Sequence, residues 1–177
     1  MNAVATSYAK ALFSLALENK KDHEIFEETK IIAECIIKNE GIIKIFSNKE
    51  ISINQKKEIV TEIFGDKLNK ETYNFLKLLV DKRRMNYVVD MCYEFQKMYY
   101  EYHNIKEAKV YSTHQITTKQ LDDIKIVLEN KYQSKFVVEN FIDESLIGGI
   151  KIVINDLVID GSIINKLSRL KSSIAHK

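Results

Sequence analysis

The sequence predicts an α+β protein in two parts, a six-helix bundle over residues 1–104 followed by a small α+β domain over residues 105–177. Two observations carry this. Up to about residue 104, apolar residues recur three and four apart, the spacing that puts side chains on one face of a helix. Near residue 105 the spacing shortens to two, the period of a half-buried strand. A third observation agrees: the chain has no proline and only 5 glycines, and all of them fall where an element should end, start or bend.

The first helix is expected over Ala3 to Glu18, with Val4, Tyr8, Ala11, Leu12 and Leu15 on one face. The second runs from Asp22, as N-cap, to Lys38, with Ile25, Phe26, Thr29, Ile32, Ala33, Ile36 and Ile37 as its stripe. Gly41 marks a break before a short helix, Ile42 to Phe46. Ser52 and Gln55 have the spacing of a capping box, and their helix should stop at Gly65. The fifth helix, Lys70 to Asp81, is apolar around most of its circumference, which predicts burial on several sides. The sixth, Arg84 to Tyr102, presents Val88, Met91, Cys92, Phe95, Met98, Tyr99 and Tyr102; Tyr100 falls off that face.

In the second part, Lys106 to Thr113 alternates as a strand with Ala108 and Val110 on one side. Thr117 and Gln120 open a helix carrying Leu121, Ile124, Val127 and Leu128. A strand at Lys135 to Asp143 follows, then one through Ile150, Ile152 and Ile154. Asn155-Asp156 reads as a hairpin turn into Leu157 to Asp160. A last helix should start after Gly161-Ser162 and carry Ile163, Ile164, Leu167, Leu170 and Ile174.

Composition narrows function by exclusion. With 27 basic and 25 acidic residues the formal net charge is +2. Both signs are spread along the chain, so no basic field for nucleic acid is expected. No apolar run approaches the roughly 20 residues that cross a bilayer. The opening MNAVATSYAKALFSLA has a helical period rather than the form of a secretory signal. Cys35 and Cys92 fall in apolar helical patterns and read as two buried thiols.

Catalytic constellations are not expected. His23, His103, His114 and His176 are scattered, and no Cys/His spacing suits a metal. Gly148-Gly149 lacks the companions of a phosphate loop and reads as a bend before a strand. Asp143-Glu144 reads as a solvated turn, and Asp160-Gly161-Ser162 as the cap of the last helix. Lys82-Arg83-Arg84 reads as a solvated corner. Cofactors are therefore expected to be none, and the remaining reading is a binding module. The small residues Ala9, Ala11 and Ala16, the off-stripe Phe13 and the surplus apolar surface of the fifth helix suggest a groove between helices one and five, open to a partner's amphipathic helix.

Certain motifs carry a family resemblance. Tyr8-Ala9-Lys10-Ala11-Leu12-Phe13 with Leu15-Ala16, and Asn74-Phe75-Leu76 through Leu78-Leu79 to Arg84, resemble segments of the delta subunit of F-type ATP synthases. The mitochondrial counterpart is the oligomycin-sensitivity-conferring protein. Phe141-Ile142-Asp143, Leu146-Ile147-Gly148-Gly149-Ile150-Lys151-Ile152 and Val158-Ile159-Asp160-Gly161-Ser162 resemble the family's C-terminal signature. Asn165 and Lys166 depart from the glycine and arginine often found there.

The resemblance implies a non-catalytic stator subunit. Its bundle would bind the N-terminal helix of an alpha subunit on the catalytic head, through Tyr8, Ala11, Leu12, Leu15, Asn74, Phe75 and Leu78. Its C-terminal domain would bind the C-terminal region of the b subunits, through the surface built by Phe141, Asp143, Leu146, Gly148, Gly149, Ile150, Lys151, Asp160, Gly161 and Ser162. Nucleic acid is not an implied partner, and the membrane is met only through the stalk, at the cytoplasmic face of a bacterial plasma membrane. Rival readings make other demands. An RNA-associated protein needs a basic face and steep salt dependence. An adaptor unrelated to the synthase would not bring down its alpha, beta and b subunits. A small enzyme must gather Asp143, Glu144 and His114 in one pocket.

Overall fold

The computed structural model describes residues 3–165, and the architecture is α+β. The chain divides into two compact units, Met1–Tyr100 and Glu101–Lys177, a break a few residues earlier than the change of period suggests. The first holds α1 (Ala3–Glu18), α2 (Asp22–Lys38), α3 (Glu40–Ser47), α4 (Ile53–Phe64), α5 (Lys70–Asp81) and most of α6 (Val88–Tyr102). A 3-10 turn, Met85–Tyr87, precedes α6, so this unit carries a helical element beyond the six predicted and α6 starts later than Arg84.

Local chemistry accounts for most boundaries. The Ser52 hydroxyl accepts from the Gln55 backbone N–H, and the Gln55 side chain accepts from the Ser52 N–H, closing the predicted capping box. Asp22 is not the N-cap of α2: Lys21 holds that position without a side-chain bond, and Asp22 sits in the first turn, where a carboxylate favours the helix dipole. Gly65 does end α4, but in right-handed conformation (φ −52°, ψ −44°) with its N–H on the Thr61 carbonyl, so no left-handed glycine cap operates. The left-handed position after α5 belongs to Arg83 (φ 54°). Its N–H and that of Arg84 return to the carbonyls of Val80 and Leu79, which closes the last turn.

The core of the first unit joins Ile32, Ala33 and Ile36 of α2, Val60 and Phe64 of α4, Leu76, Leu79 and Val80 of α5, and Val88, Met91 and Cys92 of α6. Burying each large side chain here contributes about 1.5–3 kcal/mol. Tyr100, unexplained by periodicity, is buried with its ring edge-on to Phe26, and Tyr99 stacks on the same ring at 4.0 Å. Phe13 turns inward onto Phe95, its ring 5.3 Å away, and does not serve an outer groove. Ile37 and Tyr102, expected on buried stripes, are exposed, and Cys35 is only half-buried.

The second unit is a four-stranded mixed sheet, ordered β2-β1-β3-β4, with α7 (Thr118–Tyr132) against β2. Strand β1 (Ile105–Ser112) pairs parallel with β2 (Lys135–Ile142) and antiparallel with β3 (Ile150–Ile154). Parallel neighbours need a crossover, which α7 supplies. A left-handed Asn155 (φ 50°) turns β3 into β4 (Leu157–Asp160). Ala108, Val110, Phe136, Ile152 and Ile154 meet Leu128 of α7 in the core. Val127, predicted on that face of α7, is exposed instead. The Thr117–Gln120 capping box is formed as predicted. Asn140 was not foreseen as a tie: its Nδ2 donates to the Val110 carbonyl at 3.0 Å and its Oδ1 accepts from the Ile116 N–H at 2.9 Å, fastening the segment after β1 to β2. Leu167, Leu170 and Ile174 of the expected last helix lie outside the described residues.

Candidate interaction groove

Helix α1 has two apolar stripes, and the structure uses them differently. Ala5, Ala9, Leu12 and Ala16 are buried. Their small size lets α1 approach its neighbours closely. The predicted stripe of Val4, Tyr8, Ala11, Leu12 and Leu15 is split: Leu12 belongs to this buried face, while Val4, Tyr8, Ala11 and Leu15 lie to one side and stay partly open, Leu15 being 40% exposed. Helix α5 likewise buries one face, Thr72, Leu76, Leu79 and Val80, rather than several. Its next face holds half-buried Phe75, exposed Asn74 and Leu78, the last 43% exposed.

The two open faces meet. Ala11, Leu12 and Leu15 of α1, with Asn74, Phe75 and Leu78 of α5, line a groove of about 440 Å³. Tyr8 does not line it but packs its ring on Phe75, centroids 6.4 Å apart. The helices run antiparallel along it. At the start of α5, Lys21 Nζ donates to both Glu71 oxygens at 3.0 Å, and Asn19 Nδ2 reaches the same carboxylate at 3.3 Å. The hydrogen bond from Lys21 holds the Glu71 carboxyl below its ordinary range. Lys70 and Glu71 line this end. At the other end the Arg84 guanidinium lies 5.1 Å over the Tyr8 ring. Lys70 and Glu71 were not predicted as groove residues; their charge masked a position that only the α5 helical period could have revealed.

A buried carboxylate ties the start of α5 to α2. Glu28 of α2 accepts from the Asn69 N–H, from Asn69 Nδ2 at 2.9 Å and from the Thr72 hydroxyl. One side chain from a neighbouring helix thereby caps the N-terminus of α5, whose own Asn69 makes no side-chain cap. Glu28 lies within the apolar stripe of α2, and that misplaced charge was its sequence signal.

The C-terminal signature residues do conformational work. Gly149 has φ +80°, and a Cβ there would lie 2.6 Å from the Gly161 carbonyl oxygen. Gly161 donates to the Ile150 carbonyl at 2.9 Å, and the Ile163 N–H donates to the Gly148 carbonyl at 3.0 Å. Asp160 Oδ1 accepts from the Ser162 N–H and Ser162 Oγ from the Asn165 N–H, the expected cap; Asn165 also donates Nδ2 to the Asp160 carbonyl. Asp143 Oδ1 accepts from the Ser145 N–H at 3.1 Å, and Leu146 is buried behind it. Phe141 faces Tyr111, ring centroids 5.6 Å apart, and the Lys151 ammonium lies 5.5 Å from the Tyr111 ring centre. Ile147, within the signature segment, is 71% exposed and has a positive φ (59°), a strained setting for a β-branched residue.

A hollow of about 500 Å³ in the second unit gathers His114, Gly148, Gly149 and Ile150 but neither Asp143 nor Glu144. Among the described residues no three of His, Cys, Asp and Glu cluster as metal ligands. His23 Nδ1 is 3.0 Å from the Tyr99 hydroxyl, and His114 Nδ1 is 2.8 Å from the Thr113 hydroxyl. His176 lies outside the described residues.

A helical unit carrying an open apolar groove, followed by a small mixed-sheet unit, defines a two-unit α+β class of protein. The family model for the ATP synthase delta (OSCP) subunit matches residues 4–174, and the chain belongs to that family. It is 36% identical over 164 residues to an ATP synthase subunit delta of Clostridium botulinum (strain Loch Maree / Type A3), covering 93% of this chain and 92% of that one. It is 35% identical over 167 residues to an ATP synthase subunit delta of Caldanaerobacter subterraneus, covering 94% and 93%. The fold is similar to a chain in the cryo-EM structure of the Toxoplasma gondii mitochondrial ATP synthase hexamer, with TM-score 0.71, 19% identity and 98% of each chain covered. No described helix is long and apolar enough to cross a membrane.

Proposed function

We propose that this chain is the non-catalytic connector of the stator of an F-type ATP synthase. The six α-helices of residues 1–104 form the part that holds the catalytic head, by seating the N-terminal helix of an alpha subunit between α1 and α5. Residues 105–177 hold the C-terminal region of the b subunits at the end of the peripheral stalk. The protein stays at the cytoplasmic face of the bacterial plasma membrane and meets the bilayer only through that stalk. Its work is mechanical: ion flow turns a rotor, and the connector keeps the head from turning with it.

The observation that carries this reading is the open apolar groove, lined by Ala11, Leu12, Leu15, Asn74, Phe75 and Leu78. Helix-in-groove recognition uses such a channel, because apolar anchors at helical spacing fill it from one side of the partner. Leu15 and Leu78 remain substantially exposed, an apolar patch that a partner would cover. Substituting Leu78→Asp or Ala11→Asp should weaken binding of an alpha-subunit N-terminal peptide by roughly thirtyfold, about 2 kcal/mol of anchor energy. Neither change touches the buried core, so the melting temperature should hold. Calorimetric titration of wild type and variants measures this, and unchanged affinity would defeat the groove.

A further inference from the structure

The two ends of the groove are not electrically neutral. Three cations stand there: Lys70 lines the groove, Lys21 sits beside it, and Arg84 lies over Tyr8, whose ring packs on groove residue Phe75. One carboxylate, Glu71, belongs to the same surface and is already held by Lys21 and Asn19. Among the described residues, neither Arg84 nor Lys70 is in an ion pair. Arg84 is half-buried, and stacking on Tyr8 restricts its side chain before any partner arrives.

We infer that the groove selects an amphipathic helix that carries carboxylates at both ends of its apolar stripe, one read by Arg84 and the other by Lys70. The inference rests on the head-binding groove proposed above and adds the charge pattern of its occupant. α5 has 12 residues, a length of about 18 Å, so the two carboxylates stand about three turns apart on the occupant. A carboxylate at the Arg84 end can be bound in a bidentate manner, because the planar guanidinium presents parallel donors. Lys70 supplies a point charge at the far end. The middle of the groove offers Leu12, Leu15, Phe75 and Leu78 to the stripe itself. Charges at the rim of an apolar interface govern partner choice and encounter rate more than total affinity.

The test is a double-mutant cycle on the full chain. The probes are the synthetic alpha-subunit N-terminal segment from the same cell and a copy with every Asp and Glu replaced by Asn and Gln. Wild type should bind the acidic segment about three- to tenfold more tightly than the amide copy, the scale expected of one or two exposed ion pairs. The combined variant Arg84→Gln, Lys70→Gln should bind both alike, and Lys70→Gln alone should lose part of the difference. The preference should shrink as salt rises from about 0.05 to 0.3 M. Equal binding of both segments by wild type, or a segment with no acidic residue to replace, overturns the charge inference. Leu78→Asp separates this from the groove itself: if it weakens binding while the two segments bind alike, the groove stands and the charge pattern falls. If neither segment binds, or Leu78→Asp changes nothing, both fall.

Discussion

Cys92 and Cys35 are chemically unlike although their sequence settings look alike. Cys92 is buried in the core of the first unit, and loss of solvation pushes its thiol up to about 12 from the ordinary 9.0. Cys35 is half-buried. At pH 8 an alkylating reagent should therefore modify Cys35 in the native protein and leave Cys92 to react only on unfolding, since the thiolate is the nucleophile. Mass spectrometry of the labelled chain checks the order. The sign for stability follows. The folded state favours the protonated thiol, so the contribution of Cys92 is fully present below about pH 9. Above that it is lost as pH rises toward 12, by about 1.4 kcal/mol per unit. Cys92→Ala should flatten that part of the pH–stability profile.

Elements in this protein are held by a few contacts that a sequence shows only in part. Both capping boxes were legible because Ser/Thr and Gln three residues apart have one good use before an apolar run. The cap of α5 was not, because its carboxylate, Glu28, comes from another helix. The Gly148-Gly149 bend was legible as a bend; that its reason is the Gly161 carbonyl was not, since the contact is made across a hairpin. Gly149→Ala should destabilise the second unit by about 2–4 kcal/mol, from the left-handed backbone and the close approach together. Hydrogen exchange should show Ile150–Ile154 amides losing protection. Gly41→Ala is the control: a Cβ there meets nothing within 4 Å, and the change should be neutral or stabilise by up to about 1 kcal/mol.

At the scale of the whole molecule, the α+β class and the change of period near residue 105 were readable because periodicity reports which face is buried. Periodicity does not say which of two apolar stripes a neighbour covers. For α1 the alanine column won, because small side chains allow the closest packing, and the larger Tyr8 and Leu15 were left at the rim. Ala11, Leu12, Leu15, Asn74, Phe75 and Leu78, named from the family resemblance, line one groove, whereas Tyr8 does not line it and the lining residues Lys70 and Glu71 were not named. The near balance of 27 basic and 25 acidic residues bears on the RNA reading. The protein is expected not to be retained on immobilised RNA at about 0.15 M salt; retention that collapses with added salt would revive that alternative.

The position of β1 bears on how the chain is made. It is the first strand synthesised yet lies inside the sheet, between β2 and β3. Its partners follow later, and the last residue of β3 is about 50 residues downstream. At ribosomal speeds of about 5–20 residues per second, β1 has both edges unpaired for roughly 1.5–6 s, until β2 is complete, and its second edge stays open for roughly 2–8 s, until β3 is complete. Helices α1 to α5 find their core partners within residues already extruded. Through that interval the face of β1 that carries Ala108 and Val110 has no partner, and an unpaired strand of this kind is open to mispairing.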